Sequence, residues 1–249
     1  MKKLFLIITT FLSFFILSGL SSLKAQALID LETGVVFSGY NDVRIPGDQG
    51  TLFSLSRELD ASPKVFYRIR AGYTFGTRHN VSLLYAPLTV KSDGSVNRDL
   101  SFEGVVFPAN TSLAGSYKFN SYRLTYRYDI VEKPRFEFGL GFTAKIRDAE
   151  ISLKSDGLYS EKTNVGFVPI INFRLEWMAA DKLSLLLEGD ALAAPQGRAE
   201  DVLVAALYRF SDKVGLKAGY RLLEGGADND EVYNFTLFNY AAIGIIIKL

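Results

Sequence analysis

Apolar and polar residues alternate one by one along much of the chain. Val65, Tyr67, Ile69, Ala71, Tyr73 and Phe75 are separated by Phe66, Arg68, Arg70, Gly72 and Thr74. The same period runs through 122–130, 136–146, 202–210 and 214–222, with arginine, lysine, carboxylate or small residues between the apolar ones except at Leu203 and Leu207. A period of two puts the two sets of side chains on opposite faces of a strand. Ten strands are predicted, over 28–40, 64–75, 81–90, 113–130, 135–153, 164–178, 183–193, 199–210, 214–223 and 231–249.

The links alternate as well. Short turns at Gly76–Asn80, Val131–Pro134, Ala179–Lys182 and Ser211–Lys213 are interleaved with longer polar links at Asn41–Ser62, Lys91–Ser112, Ser155–Thr163, Ala194–Arg198 and Glu224–Asp230. Membrane-spanning barrels have short turns at one end, longer loops at the other, and aromatic girdles at the interfaces. Tyr73, Phe75, Tyr126, Tyr128, Phe136, Phe138, Trp177, Tyr208 and Phe210 all fall near short turns on the apolar face, as one girdle requires. A soluble sandwich would also use these aromatics, in its core, but gives no reason for them to collect beside the short turns. The expected fold is therefore all-β, a closed antiparallel transmembrane barrel of about ten strands.

Two features complicate the count. Pro169 falls inside a strand, where a bulge near Gly166 or Pro169 is expected to accommodate it. Ser101–Phe107 is apolar within a loop, and reads either as an extension of the neighbouring hairpin above the membrane or as an extra strand pair, so eight or twelve strands also fit.

Composition adds the compartment. Met1-Lys2-Lys3, the apolar run Leu4–Leu20 and the small-residue exit Ser21–Ala27 form a signal-peptide pattern, with cleavage expected after Ala25. This divides the chain into a signal peptide at 1–25 and a barrel at 26–249. The chain is 48% hydrophobic and 13% aromatic, which a barrel explains by turning its apolar side chains toward lipid. With no cysteine there is no lipoprotein anchor, disulfide framework or Cys-based metal site. A formal charge of +1 gives no reason to expect a nucleic-acid partner.

The signal peptide, the alternating strands and the last strand together resemble small Gram-negative outer-membrane barrels of the broad OmpA/OmpW type. Ala241, Ile243, Ile245, Ile247 and Leu249 place apolar side chains at every second position back from the end. This is similar to the terminal signal that the barrel-assembly machinery reads in that group, departing from it at Leu249, where an aromatic is usual. The resemblance implies an outer-membrane location, and the even strand count puts both termini on the periplasmic side. The implied partners are membrane lipid, lipopolysaccharide and the assembly machinery. It carries no specific activity.

The face opposite the apolar one is densely charged. Arg68, Arg70, Arg123, Arg127, Arg135, Lys145, Arg174, Arg209, Lys217 and Arg221 are expected to point inward, with Glu32, Asp129, Glu137, Glu176, Glu188, Asp190 and Asp201. Charges in so narrow a lumen must be paired or hydrated. Arg68, Arg70, Arg123, Arg127, Arg174, Glu176, Glu188, Asp190, Arg209 and Arg221 are the candidate lumen set. Ten strands enclose a space that side chains can fill, so a filled lumen is expected, and a narrow solute channel is the alternative. The carboxylates of 187–201, with Arg221, Glu224, Asp228, Asp230 and Glu231, also read as an acidic outer rim of solvated turns. Catalysis has little to rest on. The single histidine, His79, is assigned to a short turn, and Glu188 with Asp190 is the remaining acid pair. No cofactor or metal motif is present. A non-enzymatic role in envelope integrity or surface interaction is expected, ahead of a channel and, more distantly, an envelope-lipid enzyme.

Overall fold

The computed structural model describes residues 26–194 and 197–249, so the expected signal peptide lies outside the described residues. All regular structure among them is β. Ten long segments form the barrel: β1 (Gln26–Arg44), β4 (Lys64–Phe75), β5 (His79–Ala86) continued by β6 (Thr89–Gly94), β9 (Leu113–Lys133), β10 (Phe136–Ser155), β11 (Leu158–Ala180), β12 (Leu183–Ala194), β13 (Gly197–Arg209), β14 (Val214–Asp228) and β15 (Tyr233–Lys248). Four short strands lie in the connections: β2 (Phe53–Ser54), β3 (Leu59–Ala61), β7 (Leu100–Phe102) and β8 (Val105–Phe107).

Each barrel strand pairs antiparallel with its sequence neighbour, and β1 pairs with β15 from Leu28↔Lys248 to Arg44↔Tyr233, which closes the ring. Closure removes the free edges of the first and last strands, a condition for crossing a bilayer with strands. The two faces are inverted relative to a soluble protein. Phe142 and Phe167 are 70% and 67% exposed, whereas Arg123 and Arg221 are 3% and 2% exposed. Tyr73, Phe75, Tyr126, Trp177, Tyr208 and Phe210 of the expected girdle are exposed on the outward face near the short turns, and Tyr73 packs edge-on against Phe75 as Tyr208 does against Phe210.

The structure corrects three expectations. Ser155–Thr163 is not a long link. Asp156 and Gly157, with φ of 28° and 87°, make a tight turn between β10 and β11, and both strands run far above the roughly 9–11 residues that cross a membrane. Asp-Gly is a hairpin turn signal because both positions need positive φ. No bulge surrounds Pro169, which lies in register opposite Ala144. The ladder from β11 to β12 stops at Ile171↔Ala191, so Pro169 sits beyond the last paired residue on that side, where a missing N–H costs no bond to β12. The third strand is also broken at Pro87-Leu88, with β5 and β6 pairing successive stretches of β9.

The apolar stretch 101–107 belongs to a separate hairpin. β7 and β8 pair across Glu103-Gly104, outside the ring, so the ring keeps ten strands. That hairpin and the 45–62 segment fold together over one side of the mouth. Ile45, Phe53, Leu55, Leu59, Leu100, Phe102 and Phe107 are buried in one cluster with Leu113 of β9 and Leu153 of β10. Phe53 and Phe102 meet edge to face at 6.0 Å. The loop end thus carries a small packed lobe whose cluster continues into the barrel through Val36, Leu223 and Phe238.

Candidate functional site

The inward residues of the barrel assemble into a layered ion-pair network, and strand register explains how. On β1 and β4, Asp30 faces Arg70 and Glu32 faces Arg68 as cross-strand partners. On β11 and β12, Arg174 faces Glu188 and Asn172 faces Asp190. On β12 and β13, Asp190 faces Asp201. Two carboxylates in opposite positions repel one another. Arg123 from the far wall resolves this by bonding both, at 2.6 Å to Asp190 and 2.5 Å to Asp201.

Asp201 is the hub. Arg68 at 2.9 Å and Arg221 at 2.5 Å join Arg123 on its carboxylate. Glu32 takes Arg221 at 2.7 Å and Lys217 at 3.0 Å, and Lys217 also reaches Asp30 at 2.8 Å. Thr143 and Asn172 donate to the second oxygen of Asp190 at 2.6 and 2.9 Å. Glu188 collects Arg70 at 3.4 Å and Lys217 at 3.7 Å. Nearer the short turns a second tier pairs Arg127 with Asp129 at 3.0 Å, Arg174 with Glu137 at 3.2 Å and with Glu176, and Arg209 with Glu176.

The charges balance. Arg68, Arg70, Arg123, Lys217 and Arg221 meet Asp30, Glu32, Glu188, Asp190 and Asp201 in the first tier, five against five. Three cations meet three carboxylates in the second. Arg174 also approaches Glu188 at 3.9 Å and so joins the two tiers, which puts nine of the ten candidate lumen residues in one network, while Arg127 pairs with Asp129 apart from it. Asp30, Thr143 and Asn172 are members that the sequence reading passed over. Asp30 stands two residues from Glu32 and Asn172 two from Arg174, so the period of two marks them both. Asp190, Asp201 and Arg221 lie deep in the lumen and not on an outer rim, because the outermost turns of these strands are several residues beyond them. Two other expected inward cations stand apart. Arg135 is exposed in the turn before β10, and Lys145 is buried without any ion pair.

The network separates two cavities. One, of about 260 Å³, opens among Arg127, Asp129, Arg174, Glu176 and Arg209 at the short-turn end. The other, of about 420 Å³, lies at the loop end between β9, β10 and the β12–β15 wall. Glu32, Arg68, Arg123, Asp190, Asp201 and Arg221 line neither of these two, and each is at most 5% exposed. The structure also places the three residues weighed for catalysis. His79 opens β5 at the short-turn end, with Nδ1 2.9 Å from the hydroxyl of Tyr126 on the outward face. Glu188 and Asp190 are both engaged by arginines.

Comparison with known proteins gives the fold. No protein-family model and no curated protein matches the sequence. Among solved structures, the outer-membrane protease OmpT of Escherichia coli superposes with a TM-score of 0.55 at 10% identity, over 92% of this chain and 98% of that one. Ail, the attachment invasion locus protein of Yersinia pestis, matches at a TM-score of 0.41 and 10% identity, over 90% of this chain and 99% of that one. The Pseudomonas putida toluene transporter TodX matches at 0.35 and 7% identity, over 90% and 89%. At these identities the likeness is one of architecture, and the chain has the fold of the small Gram-negative outer-membrane β-barrels.

Proposed function

We propose that this chain is a non-enzymatic outer-membrane barrel with a closed lumen, serving envelope integrity or interaction at the cell surface. The observation that carries this reading is the charge-balanced network at mid-lumen, whose central members are at most 5% exposed. Interlocked arginine–carboxylate pairs of this kind hold their geometry, because freeing any one ion leaves its partner buried and uncompensated. Such a plug favours a sealed barrel over a water-filled one. The packed lobe and the tall β10–β11 hairpin supply a rigid surface beyond the membrane, which suits contact with a partner. The apolar band meets membrane lipid and lipopolysaccharide, and β15 is the strand offered to the assembly machinery.

A narrow channel is the second reading, and the two cavities that approach the plug from either end favour it. Planar-bilayer recording separates the two. The purified protein is expected to insert without discrete conductance steps. Reproducible single-channel steps from the unmodified chain would overturn the closed-lumen reading.

A further inference from the structure

We propose that the loop-end cavity is a binding site for an amphipathic anion, a molecule with an apolar body and one carboxylate or similar head. The site is distinct from the lumen network, and it stands whether or not the lumen conducts.

The cavity, at about 420 Å³, is within the range of small-molecule sites, about 300–1,000 Å³. Its wall is mainly apolar, with Tyr117, Ile151, Val168, Leu192, Leu223 and Phe238 prominent. Into it face two cations of β10, Lys145 and Arg147, which share a strand face two residues apart. That spacing is about 7 Å, so one carboxylate can touch both.

Neither cation is neutralised. Lys145 is 3% exposed, yet no carboxylate among the described residues forms an ion pair with it, and its ammonium rests over the Phe119 ring at 4.7 Å. Arg147 also lacks an ion pair among the described residues. It donates one bond to Asn164, and its buried Nε has no partner. Elsewhere in the lumen every network cation meets a carboxylate, so these two break a rule the rest of the interior obeys. Lys145 is the buried member of the two, where an uncompensated charge is costly, and a bound anion offsets that cost.

The carboxylates on the same wall are already occupied or peripheral. Glu150 is held by Lys118 at 3.5 Å and Glu224 by Arg198 at 2.6 Å, while Glu231 is exposed at the β14–β15 tip. The wall itself offers an entrance. Above Ile171↔Ala191, β11 has no partner in β12, so the cavity is bordered by an unpaired edge between Val168 and Leu192.

Equilibrium dialysis tests this with the protein in lipid nanodiscs and empty nanodiscs as the reference. The probes are 2-naphthoate and the neutral 2-naphthylmethanol of the same shape. Saturable naphthoate binding is expected, at least about ten-fold tighter than the alcohol. Lys145→Met removes that preference and leaves the alcohol bound, Lys145→Arg keeps it, and Ala199→Phe, which fills the cavity, weakens both probes. Folding of each variant is checked by heat-modifiable gel mobility. Naphthoate uptake no greater than in empty nanodiscs would overturn the site, as would equal affinity in the unmodified protein and in folded Lys145→Met. If Lys145→Met does not fold, Ala199→Phe decides the matter, since undiminished binding there places the probe elsewhere.

Discussion

Asp201→Asn is the sharpest test of the network. The substitution keeps the volume and one acceptor oxygen but removes the charge that three guanidinium groups share at 2.5–2.9 Å. Charge-assisted bonds contribute about 1.5–3 kcal/mol each, so three would set an upper figure of about 5–9 kcal/mol. The arginines keep other partners, however. Arg221 retains Glu32 at 2.7 Å, Arg123 retains Asp190 at 2.6 Å, and Arg68 retains only the more distant Glu32 at 3.8 Å. The expected loss is therefore nearer the cost of breaking one buried pair, about 3–5 kcal/mol. With an m-value of about 2 kcal/mol/M in urea, the unfolding midpoint falls by about 1.5–2.5 M. The assay is urea unfolding in lipid vesicles, followed by the heat-modifiable band shift and by Trp177 fluorescence. A loss under about 1 kcal/mol would show that water screens Asp201, and the lumen would then not be sealed there.

Three further outcomes are expected. Gly34→Ala should impair closure of β1 on β15, because Gly34 has φ of +143° and an added Cβ would stand 2.0 Å from the Ala241 carbonyl oxygen; the folded fraction on refolding into vesicles should fall sharply, and an unchanged fraction refutes the assignment. Phe142→Arg, on the outward face, should cost about 2–4 kcal/mol if that position lies near the bilayer midplane, measured by the same urea titration; a neutral result would move the membrane band off this level. Phe102→Ala should cost about 3–5 kcal/mol within the outer lobe, read as protease cleavage in 45–62 and 95–112 while the ring stays protected, and simultaneous loss of the ring would show that lobe and barrel unfold as one unit.

The alternation of Val65–Phe75 and its counterparts determined a great deal without any structure. It set the strand class and the inward and outward faces with their charges, because a period of two fixes which side chains share a face whatever the neighbouring strand is, and with the alternating link lengths it gave a closed ring of about ten strands. Local turn chemistry was equally present in Asp156-Gly157, although the polar residues flanking it read as a loop. What the period could not specify is register and strand height. Those decided that Asp190 stands opposite Asp201, that Arg123 crosses the lumen to hold both, and that β11 outruns β12 so that Pro169 needs no bulge. They also decided which inward cations find a carboxylate and which do not. Lys145 carries the same one-dimensional signature as Lys217, yet one sits among three carboxylates and the other faces an apolar cavity. Pairing depends on distances across the barrel, between residues far apart in the chain, and only the closed ring brings them together.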